Sequence, residues 1–529
     1  MATVLNTTEP HPFSSRIERP DALSAITATP VGRWLVPSLT DLFFIAFFVW
    51  LFVAGSGGWN GLLVDGDTGW HIRTGEFILD HRAVPQTDLF SFTRPGAVWF
   101  AWEWLSDVLF AVALRWCGLK GVVLIAGTVI ALWPVLLIRQ ALWRGAHAWL
   151  ALAITLTGVG AASIHFLARP HIFTLLFTTV CAWMIESDRR SPGWRLWLLA
   201  PITAFWANIH GGFLLLIGLL GLVAVGSAAE AWAGVRGWKD ARRYAVATLV
   251  CAGASVMNPY GIGLHTHILK YLRSDWIRNV VQEFKAPDFR SESQIQYEFL
   301  LMAGLAAATL LIVRRRYVHA LWLVALAHLS LTSLRHVPIF VAIAAPILAE
   351  VFSEFWTSAV RKSHENSTVS ILDRIGFDAS RGLQRTSLWL VGFVLAFSLV
   401  GGAAKWPRDF PSTHFPTALV HQHRGILSIG RVLTMDQWGD YLIYSFYPIQ
   451  RVFADGRSDF YGPELGNEYL IAAGGDYRWR QTLNRYGVDT VLAPVSWALA
   501  TILKSDPEWR IVADDGNAIL IIRRNGRNP

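Results

Sequence analysis

The sequence predicts an all-α polytopic membrane protein of about eleven transmembrane helices, followed by a small α/β domain. Hydrophobic residues make up 53% of the 529-residue chain and charged residues only 16%, whereas soluble domains carry about 25% charged residues. Apolar runs long enough to cross a bilayer recur along most of the chain. Many of the 26 tryptophans stand at the ends of these runs, and Trp concentrates where hydrocarbon meets headgroups.

The composition also excludes several other classes of protein. The formal net charge of +8 does not indicate nucleic-acid binding, because the positive residues cluster between apolar runs as topology signals do. Cys117, Cys181 and Cys251 lie in or beside apolar runs without metal-ligand spacing, so we expect neither a disulfide framework nor a zinc site. Residues 1–33 lack the apolar core of a cleavable signal peptide and are expected to form a disordered cytoplasmic tail.

The transmembrane domain is expected to extend over residues 34–404. Its predicted spans are residues 34–55, 121–138, 147–165, 171–186, 194–207, 213–234, 243–257, 297–313, 317–333, 337–355 and 387–404. The run 104–117 is short and contains Asp107 and Arg115, so we expect it to lie in the membrane interface as a helix.

The distribution of basic residues predicts the orientation. They fall in alternate loops, which the positive-inside rule makes cytoplasmic. These loops contain Arg139 and Arg144; Arg189, Arg190 and Arg195; Arg236, Lys239, Arg242 and Arg243; Arg314, Arg315 and Arg316; and Arg361, Lys362, Arg374, Arg381 and Arg385. The external side then receives the large first loop, residues 56–120, the loops 166–170, 208–212, 258–296 and 334–336, and the C-terminal region. Loop 258–296 is amphipathic in places and is expected to lie along the membrane as a mobile lid.

Residues 405–529 have the composition of a soluble α/β domain on the external side. Strands are predicted at Arg431–Met435, Arg451–Asp455 and Val488–Ala493, with a short helix at Gly439–Ser445. Trp509–Ala513 and Ala518–Arg523 flank a good hairpin turn. Neither of the common glycine-rich phosphate-binding motifs is present, so nucleotide binding has no support.

The candidate functional stretch follows the first span directly. Asp65, Asp67, His71 and Arg73 stand within nine residues there. The other external loops add His165, Arg169, His171, Asn208, His210, Glu283, Arg335 and His336. Carboxylates opposite cations at one membrane face suit group transfer from a phosphate, because a carboxylate deprotonates an acceptor and the cations stabilise the departing phosphate. A purely structural alternative is that Asp67 caps a helix starting at Thr68.

The layout resembles the GT-C class of integral-membrane glycosyltransferases, and is similar to protein O-mannosyltransferases and aminoarabinose transferases. Asp65-Gly66-Asp67 stands where that class keeps its acidic motif, followed by two interfacial helices at about 67–80 and 103–116. Uncharacterised bacterial proteins of this class share Ala168–His171, Asn258–Gly261, Arg335–Pro338 and Val452–Asp459. The glycine between the carboxylates and the absence of the Trp-Trp-Asp motif of oligosaccharyltransferases are departures from better-known members.

The resemblance implies a glycosyltransferase in the bacterial inner (cytoplasmic) membrane that uses a polyprenyl-phosphate sugar donor and a glycan, lipid or protein acceptor. Asp67 is then expected to be the general base and Asp65 its helper, and the pair could also bind Mg²⁺ or Mn²⁺. The expected donor-phosphate ligands are Arg335, Arg169 and His336, and the expected substrate contacts are His71, Glu103, His210 and Asn258. The alternatives are a transporter or flippase of lipid-linked sugars and a non-enzymatic assembly factor.

Overall fold

The computed structural model describes Thr29 and residues 34–53, 58–385, 387–400 and 406–524. The predicted tail, apart from Thr29, and the predicted domain boundary at residue 405 lie outside the described residues. The first part of the chain is helical. Its helices are α1 Leu39–Val53, α2 Trp59–Leu62, α3 Asp67–His81, α4 Trp104–Cys117, α5 Leu119–Trp143, α6 Ala148–Ala162, α7 His171–Arg190, α8 Leu199–Trp206, α9 Phe213–Trp232, α10 Trp238–Ala254, α11 Ile262–Arg273, α12 Asp275–Val280, α13 Glu292–Val313, α14 Tyr317–Thr332, α15 Val337–Lys362, α16 Thr368–Leu383 and α17 Trp389–Val400.

Each predicted span overlaps one of these helices, which supports the polytopic membrane class. Among the described residues, five helical segments are long and apolar enough to cross a membrane: Leu119–Trp143, Ala148–His165, Phe213–Trp232, Ser293–Val313 and Leu334–Lys362. Leu39–Val53, Tyr317–Thr332 and Trp389–Leu399 are shorter apolar helices. Helix α8 has only 8 residues, against the roughly 20 that a perpendicular crossing requires. The number of eleven spans and the orientation therefore stay predictions.

Both helices predicted in the first external loop are present, as α3 and α4. These two helices pack closely at Gly75: a Cβ atom added there would lie only 1.9 Å from the Asp107 carbonyl oxygen. On its other side α3 meets a helix of the C-terminal domain, α20 (Asp436–Phe446), at Gly69, where a Cβ would lie 2.6 Å from the Asp440 carbonyl oxygen. The stretch that carries the candidate carboxylates is thus held by main-chain contact on two sides.

The C-terminal part combines helices with a small sheet, as the sequence predicts. After α17 come α18 Thr417–Gln422, α19 Arg424–Leu427, β1 Val432–Thr434, α20, α21 Ser458–Ala473, α22 Trp479–Arg485, β2 Thr490–Pro494, α23 Ala498–Ser505, β3 Trp509–Asp514 and β4 Ala518–Arg523. The sheet order is β1-β2-β4-β3, with β1 and β2 parallel and the other two pairs antiparallel. The predicted hairpin is β3–β4, and the predicted helix at Gly439–Ser445 lies within α20.

The strand predicted at Arg451–Asp455 is wrong. Only Val452 pairs, in isolated bridges to Ser91 of the first loop and to Val432. Pairing stops because the chain turns at Asp455, where the carboxylate accepts the Arg457 backbone N–H at 3.1 Å. The segment therefore connects the first loop to the sheet instead of extending the sheet.

A buried arginine fastens this connection. Arg457 donates to Asp88 of the first loop at 2.8 Å and to Asp455 at 2.7 Å, and its side chain is only 1% exposed. The guanidinium also lies over the rings of Trp99, at 4.5 Å, and Phe460, at 4.9 Å. Two buried carboxylates from different parts of the chain thus share one cation.

We expect Arg457→Met to lower the free energy of unfolding by about 3–5 kcal/mol, because removing one partner leaves buried carboxylates uncompensated. Denaturant unfolding of the purified chain in detergent measures the change. Arg478→Met is the matched control, since Arg478 pairs with Asp476 at 3.1 Å on the surface and such pairs contribute about 0–1 kcal/mol. Equal, small effects of the two substitutions would contradict the role given to Arg457.

Candidate active site

Asp65 and Asp67 hold one guanidinium between them. Arg169 donates from Nη1 to Asp65 at 2.7 Å and contacts Asp67 from Nη2, also at 2.7 Å. The Asp65 carboxylate also accepts the backbone N–H of Asp67 at 2.9 Å. Helix α3 begins at Asp67 itself, and its N-cap residue, Gly66, has no side chain that could cap it. The alternative in which Asp67 caps a helix starting at Thr68 is therefore wrong, because its carboxylate pairs with Arg169.

The segment 258–296 adds a third carboxylate to this group. Glu283 lies 3.7 Å from Arg169 and 3.9 Å from Arg335, so it stands between the two guanidiniums. Burial opposes ionisation of Glu283, but Arg169 and Arg335 outweigh it and hold its pKa at about 2. Arg335 lies over the Phe284 ring at 4.5 Å, and its buried Nη1 has no hydrogen-bond partner. Of the two arginines, Arg335 therefore has the freer donor.

A second group of polar side chains links α3 and α4 to the turn before α9. His71 contacts Asp107 at 2.6 Å through Nδ1 and Glu103 at 3.6 Å through Nε2. His210 Nε2 lies 3.3 Å from the other Glu103 oxygen. Because the Gly212 backbone N–H donates to His210 Nδ1 at 3.1 Å, the neutral His210 ring carries its proton on Nε2 and donates toward Glu103.

Burial sets the protonation of this second group. It raises the pKa of Glu103 to about 8, an effect that Arg169 only partly opposes, and it raises the pKa of Asp107 well above its usual value. Burial likewise lowers the pKa values of His71 and His210 well below the usual value for histidine. At neutral pH the group is therefore largely uncharged, with carboxylic acids and neutral imidazoles sharing hydrogen bonds.

The C-terminal domain covers Asp67 from the other side. A Cβ on Gly456 would lie 1.9 Å from Asp67 Oδ1 and 2.9 Å from Asp440 Oδ2. Both of these carboxylate oxygens are buried and lack a hydrogen-bond partner. Gln437 of α20 also accepts the Gly66 backbone N–H at 2.5 Å. The C-terminal domain thus forms one wall of the site.

This wall makes Asp67 an unusual carboxylate. Burial raises its pKa to about 8, with Arg169 opposing and Asp65 adding to the rise. Burial and the neighbouring Asp67 also raise the pKa of Asp440 well above its usual value. Asp67 is therefore poised to gain or lose a proton near neutral pH while it remains beside Arg169.

Two predicted site residues have local roles. The Asn258 amide donates to Ser255 O at 2.9 Å and its oxygen accepts the Tyr260 N–H at 2.9 Å, which fixes the turn before α11. Asn258 also lines an open groove of about 520 Å³ with Trp104, Leu105, Phe205, Asn208, Met257 and Pro259. His336 bonds through Nδ1 to Leu329 O at 3.1 Å, next to Arg335.

The sequence suggested Asp65 and Asp67 as possible ligands of Mg²⁺ or Mn²⁺. Among the described residues, no group of three or more His, Cys, Asp or Glu side chains is placed to hold a metal ion. Both carboxylates contact Arg169, so a cation binding to them would have to displace that guanidinium.

The structure brings three further groups into the site: the sequence placed Glu283 and His165 on the same face without giving them a role, and it did not suggest Asp440. Glu283 carried a weak signal, as a carboxylate in the predicted lid loop. The ring nitrogens of His165 are buried without hydrogen-bond partners, and its ring packs edge-on against His171 at 5.5 Å. Asp440 gave no signal, because its approach to Asp67 depends on how the C-terminal domain docks.

Comparison with known proteins identifies the fold. No family model matches the sequence, and no curated protein matches it. Among solved structures, the oligosaccharyltransferase AglB from Archaeoglobus fulgidus, in complex with an inhibitory peptide and a dolichol-phosphate, has a TM-score of 0.56 at 11% identity, over 93% of this chain and 74% of that chain. The apo form of the oligosaccharyltransferase from Archaeoglobus fulgidus has a TM-score of 0.52 at 12% identity, over 86% and 69%. The chain therefore has the GT-C-like fold of an oligosaccharyltransferase.

Proposed function

We propose that this protein is a glycosyltransferase of inverting type, which transfers a sugar from a polyprenyl-phosphate-linked donor to an acceptor at the external face of the cytoplasmic membrane. The observation that carries the proposal is the group formed by Asp67, Arg169, Glu283 and Arg335, which combines a carboxylate of raised pKa with two cations. The fold supports it, because a structural neighbour binds a dolichol-phosphate and a peptide.

Asp67 is the general base in this mechanism. Its Oδ1 has no hydrogen-bond partner and takes the proton from the acceptor hydroxyl or amine as the acceptor atom bonds to the anomeric carbon. The bond between that carbon and the donor phosphate oxygen breaks, and its electron pair stays on the phosphate. Asp65 is a positioning residue, because it holds both the Asp67 backbone N–H and the Arg169 guanidinium.

The departing phosphate needs cationic partners. Arg335 provides a buried donor without a partner, while Arg169 gains an oxygen ligand only by loosening its contacts with Asp65 and Asp67. His336 adjoins Arg335 and is assigned to the same phosphate. Separation of Arg169 from Asp67 on donor binding would also free the carboxylate to act as a base, so that binding and activation are coupled.

The remaining site residues are assigned to the sugar and the lipid. His71, Glu103 and His210 offer uncharged donors and acceptors that suit sugar hydroxyls. The open groove at Asn258 begins at Trp104, the residue after Glu103, and suits the apolar chain of the donor.

We expect Asp67→Asn to lower the rate of sugar transfer by about 100-fold or more, since general base catalysis contributes roughly 10²–10⁴-fold. The assay supplies purified protein with a panel of polyprenyl-phosphate sugars and follows release of polyprenyl phosphate. Asp80→Asn is the control on the same helix, because Asp80 is an exposed carboxylate that pairs with Arg115. Retained transfer in a folded Asp67→Asn variant would exclude this mechanism.

The transfer rate should rise with pH, with a midpoint near 8, because Asp67 must be ionised to act and burial raises its pKa to about 8. Burial also raises the pKa of Glu103 to about 8. The folded chain thus keeps two protons that the unfolded chain releases above about pH 4, so the contribution of Asp67 and Glu103 to stability falls as pH rises from about 4 to 8. The buried neutral His71 and His210 act in the opposite direction up to about pH 6.5, so the fall in stability is expected from about pH 7 upward. Glu103→Gln tests whether Asp67 or Glu103 controls the rate. If Asp67 does, the transfer rate of this variant should still rise with pH with the same midpoint. If the rate no longer rises with pH, Glu103 is the group that titrates.

Gly456→Ala should reduce transfer strongly, because the added methyl group would lie 1.9 Å from Asp67 Oδ1 and must displace the carboxylate or the domain wall. Gly425→Ala is the control in the same domain, since nothing lies within 4 Å of its added Cβ. Equal activity of the two variants would show that the C-terminal domain does not hold Asp67 in place. Tryptophan fluorescence of both variants checks that they fold.

A further inference from the structure

A second cavity lies far from the candidate active site. Helix α7 runs between the two: His171, its first residue, belongs to the active-site end, and Arg189 and Arg190 close its last turn. Its 20 residues separate the two ends by about 30 Å at 1.5 Å per residue. The cavity has a volume of about 320 Å³ and is lined by Arg144, Glu186, Arg189, Arg190, Glu230, Val235, Arg236, Arg314, Arg315, Arg316, His319 and Glu350.

Its lining combines four of the five basic loops that the sequence assigns to the cytoplasmic side. The floor is buried and internally neutralised. Arg189 pairs with Glu230 at 2.9 Å, Arg144 pairs with both Glu186 and Glu350, and Glu350 also pairs with Arg316 at 2.8 Å. These pairs account for the three glutamates of the lining, so the remaining arginines supply its excess positive charge.

The four arginines at the rim of the cavity have fewer carboxylate partners than the floor; they are Arg190, Arg236, Arg314 and Arg315. Arg314 pairs with Glu354, beyond the lining, and Arg236 pairs with Asp240 at 3.2 Å and lies 3.6 Å from Glu230, which Arg189 already holds. Arg190 and Arg315 have no carboxylate partner among the residues that the structure describes. Arg190 donates to Trp143 O at 3.0 Å and lies over the Trp143 ring at 3.8 Å, and Arg315 donates to Ala233 O at 3.1 Å. The guanidinium groups of Arg190 and Arg315 are thus exposed at the mouth of the cavity, and no carboxylate among the described residues pairs with either of them.

The backbone at Arg315 gives an independent indication. Arg315 has a φ of +56°, the left-handed conformation that favours glycine. It occupies the residue after the C-cap of α13, where its N–H bonds to Ile312 O at 2.9 Å and the Arg316 N–H bonds to Leu311 O at 2.8 Å. This helix-ending motif normally takes glycine. Arg315 therefore occupies a position that strains its backbone, and the residue lines the cavity.

From this geometry we propose that the cavity binds a phosphate-bearing anion, namely the headgroup of an anionic phospholipid. Guanidinium groups bind phosphate oxygens in pairs, and basic pockets between membrane helices on the cytoplasmic side suit such headgroups. The buried floor fixes the orientation of the rim, and Arg190 and Arg315 supply the donors that the floor does not use. This site is separate from the proposed glycosyl transfer.

The test titrates the purified full-length chain in neutral detergent with phosphatidylglycerol and, separately, with phosphatidylcholine, and counts bound lipid by native mass spectrometry. Phosphatidylglycerol should bind saturably and at least about ten-fold more tightly than phosphatidylcholine. Arg190→Ala and Arg315→Gly should each weaken its affinity about ten-fold, which corresponds to about 1.4 kcal/mol. Arg315→Gly should keep or raise the thermal midpoint, because glycine relieves the backbone strain, so its loss of affinity cannot come from unfolding.

Arg242→Ala is the matched control, because Arg242 is an exposed arginine on α10, outside the cavity lining. It should change the affinity less than about two-fold if the cavity, and not general surface charge, binds the lipid. A further arm uses inorganic phosphate: saturable binding that both cavity variants lose would assign a soluble phosphate to the same arginines. Absence of a lipid preference without phosphate binding, or equal weakening in all three variants, would overturn the proposal.

Discussion

The docking of the C-terminal domain on the segment between α1 and α5 depends on one buried cation. Arg457 is 1% exposed and satisfies Asp88 and Asp455, which come from opposite ends of the chain and would otherwise be uncompensated charges. Its neighbour in sequence is Gly456, which touches the Asp67 carboxylate. The ion pairs of Arg457 therefore lie one residue along the chain from Gly456, which contacts the carboxylate that we assign as the base. Stability and chemistry share this turn.

Two kinds of electrostatics coexist at the site. Around Arg169 and Arg335 the cations compensate the Glu283 carboxylate and hold its pKa far below its usual value, and Asp67 titrates beside them near neutral pH. Around Glu103 burial favours the neutral forms, and the same chemical groups become hydrogen-bonding acids and imidazoles. The donor that we propose would use this contrast, since its phosphate is an anion and its sugar is a neutral polyol.

Much of the fold could be read from the sequence, because apolar runs and turn residues are local signals. The helices within the predicted spans, the two loop helices α3 and α4 and the hairpin β3–β4 follow from such patterns. The strand predicted at Arg451–Asp455 failed, because the tertiary demands of Arg457 overrode an apolar run. For the site, the charged stretch at Asp65 and Asp67 was visible. Its partners could be proposed only as cations on the same side, and Asp440 could not be proposed at all, because no local pattern encodes how a domain docks.

The close packing of α3 has a further consequence for the tolerance of the site to change. This helix touches the main chain of α20 at Gly69 and the main chain of α4 at Gly75. Side chains elsewhere in the core repack when their neighbours are exchanged, and their backbones shift slightly with them. Contacts between one backbone and another offer no such adjustment. Small shifts in the surrounding core therefore have little effect on the position of Asp67, whereas a single methyl group added at Gly69 or Gly75 would displace it directly.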